Sequence, residues 1–293
     1  MKKVIYILAA WFLLEWVYTT KLKPFIVSEF PHLITPVGKD SIPGNDATGA
    51  EIGKIPLRYD SITGMNSGKY VYGLDISHYQ KSKEVITALH KHGDSLSYIF
   101  CKASDGISPD PLFKANWDLV KAKPELKRGT YHFFRQHISA VQQANYYCNM
   151  LKSVGYSSSD LPPVIDFEVN HKPHPSNTTS LNSSRNIHNV QDSIYVFLSI
   201  VEKTLQRRPL IYMNVSTAER IINVQLSGYF LWIAEYKTPP VHPNFPGHPN
   251  YWAFWQKTDK YAPVRGDKLD LDVFNGDATA LNTFIHNSNR KEQ

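Results

Sequence analysis

The chain has 293 residues, of which 42% are hydrophobic and 13% aromatic, so it can form one large domain or two small ones with a sizeable core. Its net charge of +6 and pI near 9.0 suit an acidic partner, such as a cell-wall polymer or a membrane surface. The lysines and arginines are scattered and form no dense basic run or known nucleic-acid-binding motif, which argues against a nucleic-acid partner.

The first residues have the pattern of a targeting signal. Lys2 and Lys3 precede an apolar run over 4–18, broken only by Glu15. The run is shorter than the roughly 20 residues of a membrane span. Together with the two lysines it matches the charged region and the apolar region of an export signal. Because no small-x-small cleavage site follows, residues 1–20 are predicted to be a signal peptide or an uncleaved signal anchor. We expect a periplasmic or extracellular protein, or one held at the membrane through residues 4–18.

Residues 21–69 are rich in proline and glycine and show no sustained periodicity, which is typical of a linker or a loose collar. After residue 70, short apolar runs alternate with amphipathic stretches. Strands are predicted at 71–76, 97–103, 128–134, 163–169, 209–213, 230–235, 251–256 and 270–274. Helices are predicted near 82–93, 111–123, 138–154, 189–206 and 216–223.

The alternation of strands and helices implies a parallel sheet with helices outside it. Long helices stop after the fifth strand, so the pattern favours a closed β/α barrel that loses its helices toward the C-terminus. A polar tail is predicted over 286–293. The two cysteines, Cys101 and Cys148, are predicted to be buried free thiols rather than a disulfide. No Cys/His spacing resembles a zinc site, so no metal is predicted.

Residues 162–170, Pro-Pro-Val-Ile-Asp-Phe-Glu-Val-Asn, predict a short buried strand with two acids. Side chains alternate along a strand, so Asp166 and Glu168 should point to the same face. Their repulsion and lost hydration should raise the pKa of at least one of them. A protonated carboxyl beside an ionised one is the equipment for hydrolysing a glycosidic bond. An exposed edge strand with two solvated acids would give the same pattern.

Two other predicted strands also carry acids. Asp75 lies in the first strand, and Asp270 and Asp272 lie two residues apart in the last one. A single strand acid is usually an edge or end residue. Charges that point into a barrel need a reason, because burying them unpaired costs several kcal/mol. Acids on three strands of one barrel therefore indicate a shared site.

The run Gly-Leu-Asp-Ile-Ser-His-Tyr-Gln at 73–80 resembles the G-x-D-x-S-x-x-Q opening of the family 25 glycoside hydrolases, the Chalaropsis-type lysozymes. Lys-Ala-Ser-Asp-Gly at 102–106 and Gly-Thr-Tyr-His-Phe at 129–133 resemble that family's second and third strands, and Asp-Phe-Glu at 166–168 its D-x-E. Four further matches follow in the family's order, at 209–212, 231–236, 255–256 and 269–274. The resemblance covers about 70–285, which implies one catalytic domain there.

The resemblance implies a muramidase that cleaves the β-1,4 bond between N-acetylmuramic acid and N-acetylglucosamine in peptidoglycan. The fold would be the family's flattened (β/α)5β3 barrel. Glu168 would be the acid and then the base, and Asp166 would stabilise the charge that develops at the sugar. Asp75 and Asp270 would be the other acids of the cleft. Asp270 is preferred because Asp272 takes a position that is commonly Asn in the family.

The route of the second step is a hypothesis from spacing. Asp166 and Glu168, two residues apart on one strand, lie on the same side of the substrate, which suits assistance from the substrate's own N-acetyl group better than a carboxylate nucleophile. The resemblance further implies five substrate contacts: Lys102, His132, Tyr212, Trp232 and Gln256. Tyr212 and Trp232 could instead be core aromatics, and His132 a core histidine. Trp255 is predicted to pack rather than to contact substrate.

Three alternatives remain open at this point. The first is a chitinase-like hydrolase of another N-acetylated glycan, and the second is a non-catalytic wall-binding or scaffold barrel. The third is a membrane-anchored wall-remodelling factor in which partner binding dominates. We expect peptidoglycan glycan strands as the partner, no cofactor and a monomer.

Overall fold

The structure is a computed structural model that describes residues 68–80, 85, 96–169, 181, 184–240, 252–262 and 268–289. The predicted signal at 1–20, nearly all of the collar at 21–69 and the last half of the tail at 286–293 lie outside the described residues. The helix predicted near 82–93 also lies outside them, apart from Val85.

The described strands are β1 (Val71–Ile76), β2 (Leu96–Asp105), β3 (Ser108–Pro109), β4 (Lys127–Phe133), β5 (Val164–Asp166), β6 (Leu210–Asn214), β7 (Phe230–Ala234), β8 (Phe254–Tyr261) and β9 (Leu269–Phe274). The sheet runs β1-β9-β8-β7-β6-β5-β4-β2, and β1 pairs with β2 to close it; β3 is a short hairpin on β2. All pairs around the ring are parallel except those of β9, which is antiparallel to β1 and β8. The predicted eight-stranded flattened barrel is confirmed.

The described helices are α1 (Phe113–Lys121), α2 (Ala140–Ser153), α3 (Ser184–Leu205), α4 (Val215–Ile221) and α5 (Ala278–Asn287). Sequence analysis did not predict α5. The Asp277 side chain caps α5 by accepting a hydrogen bond from Ala280 N at 2.9 Å, and Leu281 and Phe284 bury its apolar face against the barrel core. The helix runs past the domain boundary predicted at 285.

Aromatic rings fill the barrel interior below the site. Phe100 stacks on Trp232, with ring centroids 4.6 Å apart, and meets Phe254 edge-on at 5.3 Å. Tyr98 lies directly over Gly73, where an added Cβ would sit 2.2 Å from its ring. A glycine at position 73 therefore allows the Tyr98 ring to approach the backbone closely. This packing of rings supports the rim of strand ends above it.

Several smaller features bear on the sequence predictions. Cys101 and Cys148 are buried free thiols, as predicted. Within the ranges that the structure describes, no helix is long and apolar enough to cross a membrane. In the same ranges, no group of three or more His, Cys, Asp or Glu side chains could hold a metal ion.

Candidate active site

The strand ends open onto one cleft with a volume of about 280 Å³. Parallel strands bring their carboxyl ends to the same rim, and β9, being antiparallel, brings its first residues there. All four acids predicted to be catalytic line this cleft: Asp75, Asp166, Glu168 and Asp270. Four of the five predicted substrate contacts line it too: Lys102, Tyr212, Trp232 and Gln256.

Asp166 ends β5, and Glu168 follows it on the same face, while Phe167 between them is fully buried on the other face. Burial and then the charge of Glu168 raise the pKa of Asp166 well above its usual range, with Lys102 acting against them. Burial also raises the pKa of Glu168, opposed by the charges of Lys102 and Arg135. The two acids therefore hold protons more tightly than free carboxyls do.

A second group of acids lies across the cleft on β1 and β9. Asp75 and Asp270 are opposite each other in the antiparallel pair, and Asp272 faces the same side two residues further on. Burial raises the pKa of Asp75 to about 6, although hydrogen bonds from Gln256, Asp272 and Asp270 lower it. Burial and the charge of Asp75 raise the pKa of Asp270 to about 9. A negative charge on Asp75 therefore favours a proton on Asp270.

Asp270 and Asp272 occupy different layers. Asp270 lines the cleft, whereas Asp272 is fully buried and accepts a hydrogen bond from Trp232 Nε1 at 3.0 Å through Oδ1. Burial and then the charge of Asp75 raise the pKa of Asp272 well above its usual range. Asp272 therefore belongs to the floor beneath the cleft, and Asp270 is the one of the two that lines the cleft.

Gln256 joins the two tyrosines of the cleft to Asp75. Its Oε1 accepts hydrogen bonds from Tyr212 Oη at 2.8 Å and from Tyr236 Oη at 2.9 Å. Its Nε2 donates to Asp75 Oδ2 at 2.8 Å. Tyr212 and Gln256 thus line the cleft as predicted, but these bonds engage their polar atoms within the protein.

A cationic group stands beside Glu168. Lys102 is almost fully buried, and its Nζ lies 3.3 Å from Asp105 Oδ2 and 4.7 Å from the centre of the Phe133 ring. Arg135 also donates a hydrogen bond to Asp105, and its guanidinium carbon lies 4.5 Å from the centre of the same Phe133 ring. Sequence reasoning missed Asp105 and Arg135 as site residues, although Asp105 belongs to the Lys-Ala-Ser-Asp-Gly run.

His132 lies outside the cleft, which corrects its prediction as a substrate contact. Its neighbour Tyr131 lines the cleft, so His132, one residue on along β4, faces the helices instead. The ring is fully buried, bonds Ser104 Oγ at 2.8 Å and Gln143 Oε1 at 3.2 Å, and stacks on Phe197 at 4.9 Å. Burial lowers its pKa to about 3, so it is a neutral core histidine.

Trp255 is buried and donates from Nε1 to Glu235 O at 2.6 Å, in agreement with its predicted packing role. Seven lining residues were not predicted as site residues: Ser77, Tyr79, Gln80, Tyr131, Phe133, Tyr236 and Asp259. The alternation of side chains along β4 can be read from the sequence, and it could have led to the prediction of Tyr131 instead of His132 as a cleft residue. Tyr79 and Tyr236 lie beyond the ends of β1 and β7, and Asp259 lies in β8 beyond the end of the strand predicted at 251–256, so the predicted strand periodicity did not reach them.

Comparison with known proteins gives consistent matches. The family model described as "Glycosyl hydrolases family 25" matches residues 74–265. The chain is 30% identical over 224 residues to the uncharacterized protein YegX of Escherichia coli strain K12, covering 73% of each chain.

Two solved lysozyme structures resemble the chain. The bacterial lysozyme from Streptomyces coelicolor has a TM-score of 0.61 and 26% identity, over 75% of this chain and 99% of that one. The family GH25 lysozyme from Aspergillus fumigatus has a TM-score of 0.58 and 27% identity, over 74% and 99%. Because the family model covers more than half of the chain, this protein belongs to glycosyl hydrolases family 25 and is a glycoside hydrolase.

Proposed function

We propose that this protein is a peptidoglycan hydrolase, a muramidase that cleaves the β-1,4 bond from N-acetylmuramic acid to N-acetylglucosamine. The observation that carries the proposal is the pair Asp166 and Glu168 on one face of the cleft, opposite Asp75 and Asp270. Family membership and the two lysozymes described above support it. The chitinase-like and non-catalytic alternatives become outcomes of the test below.

Glu168 is proposed as the general acid and base. A general acid must hold its proton near the working pH, and burial raises the pKa of Glu168 in that direction. Glu168 gives this proton to the leaving glycosidic oxygen. It then removes a proton from the water that completes hydrolysis, which restores its starting state.

Asp166 is proposed to stabilise the positive charge that develops at the sugar. Part of the rise in its pKa comes from the negative charge of Glu168, so a protonated Glu168 favours an ionised Asp166. Both acids lie on one face of the cleft and would stand on the same side of a sugar bound there. This geometry suits attack on the anomeric carbon by the carbonyl oxygen of the substrate's N-acetyl group, with Asp166 supporting the amide nitrogen. A trapped covalent bond between the sugar and Asp166 would contradict this route.

The first test is release of reducing ends from purified peptidoglycan by the full chain, with products identified by mass. Glu168→Gln should abolish release, because the amide cannot donate the proton. Glu125→Gln is the matched control, since Glu125 is an exposed residue between α1 and β4. Fragments ending in reducing N-acetylmuramic acid support a muramidase.

Other results favour the alternatives. Fragments ending in reducing N-acetylglucosamine would mean that the enzyme cleaves the other glycosidic bond of peptidoglycan. Faster cleavage of chitin than of cell walls favours another N-acetylated glycan as substrate. Binding to cell walls without cleavage, by a folded wild-type chain, favours a wall-binding barrel.

Peptidoglycan lies outside the cytoplasmic membrane, so this function requires export. We propose that the apolar run over 4–18 directs the export.

A further inference from the structure

We propose that Gln256 is a positioning residue that keeps Asp75 as the ionised member of the cluster formed by Asp75, Asp270 and Asp272. The sequence resemblance implied Gln256 as a contact for substrate. Its three hydrogen bonds within the protein point to a different role.

The side-chain amide of Gln256 is nearly fully buried and its orientation is determined by two phenols. Tyr212 and Tyr236 both direct their hydroxyl groups at Oε1, at 2.8 and 2.9 Å. Burial raises the pKa of both tyrosines, so both keep their protons and act as donors. With Oε1 taken by two donors, Nε2 is the atom that faces Asp75, at 2.8 Å from Oδ2.

An N–H donor stabilises a carboxylate more than it stabilises a neutral acid. Gln256 therefore favours the ionised form of Asp75. Asp272 is in the opposite situation: its Oδ2 is buried and has no donor among the residues that the structure describes. A proton on Asp272 would let this carboxyl donate to Asp75, an interaction that lowers the pKa of Asp75 and raises that of Asp272. The arrangement thus selects Asp75 as the anion.

Other titratable groups face Asp75 from the surrounding strands, and their protonation is linked to that of Asp75. They are Asp270 and Asp272 from β9, Tyr98 from β2, Tyr131 from β4, Asp166 and Glu168 beside β5, Tyr212 from β6 and Tyr236 after β7. The four tyrosines are neutral because burial raises their pKa values. A negative charge on Asp75 raises the pKa of Asp166 across the cleft. Gln256 thereby influences the catalytic pair without touching it.

The test follows the side-chain carboxyl ¹³C resonances of the full chain by NMR from pH 3 to pH 9, with Asp75→Asn used to assign Asp75. In the wild type we expect Asp75 to titrate below both Asp270 and Asp272. Gln256→Met removes the amide with little change in volume and should raise the Asp75 midpoint by about one unit. Gln191→Met, which removes an amide bond to Ile221 O far from the cleft, should leave it unchanged.

The activity assay adds an independent readout that rests on the proposed function. The acid limb of kcat/KM against pH should move to lower pH in Gln256→Met, because a neutral Asp75 no longer raises the pKa of Asp166, which the proposed function needs ionised. A raised KM with an unmoved Asp75 midpoint would overturn the proposal and make Gln256 a substrate contact. If Gln256→Met does not fold, Tyr236→Phe is the second variant, because it removes one of the two donors to Gln256 Oε1 at the cleft mouth. It should raise the Asp75 midpoint by a smaller amount. An unchanged midpoint in this variant overturns the proposal. The NMR titration needs no substrate, so its failure is distinct from failure to cleave peptidoglycan.

Discussion

Both carboxylate oxygens of Asp105 accept hydrogen bonds from Arg135, from Nε at 2.5 Å and from Nη2 at 2.8 Å. Lys102 bonds the same carboxylate. Although burial acts in the other direction, the hydrogen bond and charge of Arg135, with Lys102, lower the pKa of Asp105. Asp105 therefore stays ionised and offsets the two cations that act on the proton of Glu168.

Asp105→Asn should move the alkaline limb of kcat/KM to lower pH. Without the negative charge, Lys102 and Arg135 lower the pKa of Glu168 further, so this general acid loses its proton earlier. We expect a shift of about half a pH unit. Asp118→Asn, which breaks an exposed 2.6 Å ion pair with Lys114 on α1, is the control and should leave the limb in place. A limb that moves to higher pH would contradict this account.

Asp272→Asn should stabilise the protein at neutral pH. The folded state holds the Asp272 proton because its pKa is raised well above 3.8, whereas the unfolded chain releases it near that value. Stability from this group is therefore present at low pH and is lost as pH rises above about 4. Asn keeps the acceptor for Trp232 without the ionisation cost. We expect a gain on the order of 1 kcal/mol at pH 7 in denaturant unfolding.

The comparison at low pH completes that measurement. Near pH 3, below the unfolded-state value of 3.8, residue 272 is largely neutral in both proteins and in both states, so the wild type and Asp272→Asn should differ little. An equal gain at both pH values would mean that the effect comes from packing and not from ionisation.

His132→Gln should leave KM nearly unchanged, because His132 does not line the cleft. The buried ring bonds Ser104 and Gln143, and losing part of this network should cost about 1–3 kcal/mol of stability. The folded-state pKa of about 3 lies below the ordinary histidine value of 6.5, so the wild type loses stability as pH falls through that window. The variant should lose less over the same range. A large rise in KM at full stability would restore His132 as a substrate contact.

Gly73→Ala should destabilise the barrel by about 1–3 kcal/mol, because the new Cβ would meet the Tyr98 ring at 2.2 Å. The check is a double-mutant cycle with Tyr98→Leu, measured by denaturant unfolding. The alanine should cost less when the ring is absent. Additive effects would show that the strain lies elsewhere.

The sequence alone determined the order of strands and the identity of the acids. Apolar runs of strand length, separated by amphipathic stretches, predicted eight strands and a barrel, which the structure has. The spacing of Asp166 and Glu168 placed both on one face, because the period of a strand is two residues. These inferences depend on local patterns. Helix α5 was not predicted: only three residues separate its ten residues from β9, and its cap and its buried face against the core reveal it in the structure.

Tertiary structure alone decided which side chains face the cleft and which of them bond one another. Alternation says that Tyr131 and His132 face opposite sides, but only the closed barrel shows which side is the cleft. The antiparallel setting of β9 decided that Asp270 faces the cleft while Asp272 lies beneath it. The bond from Gln256 to Asp75 joins residues 181 positions apart, and that from Arg135 to Asp105 joins residues 30 apart. Contacts of such separation depend on how the strands close around the core, and no local pattern in the chain encodes them.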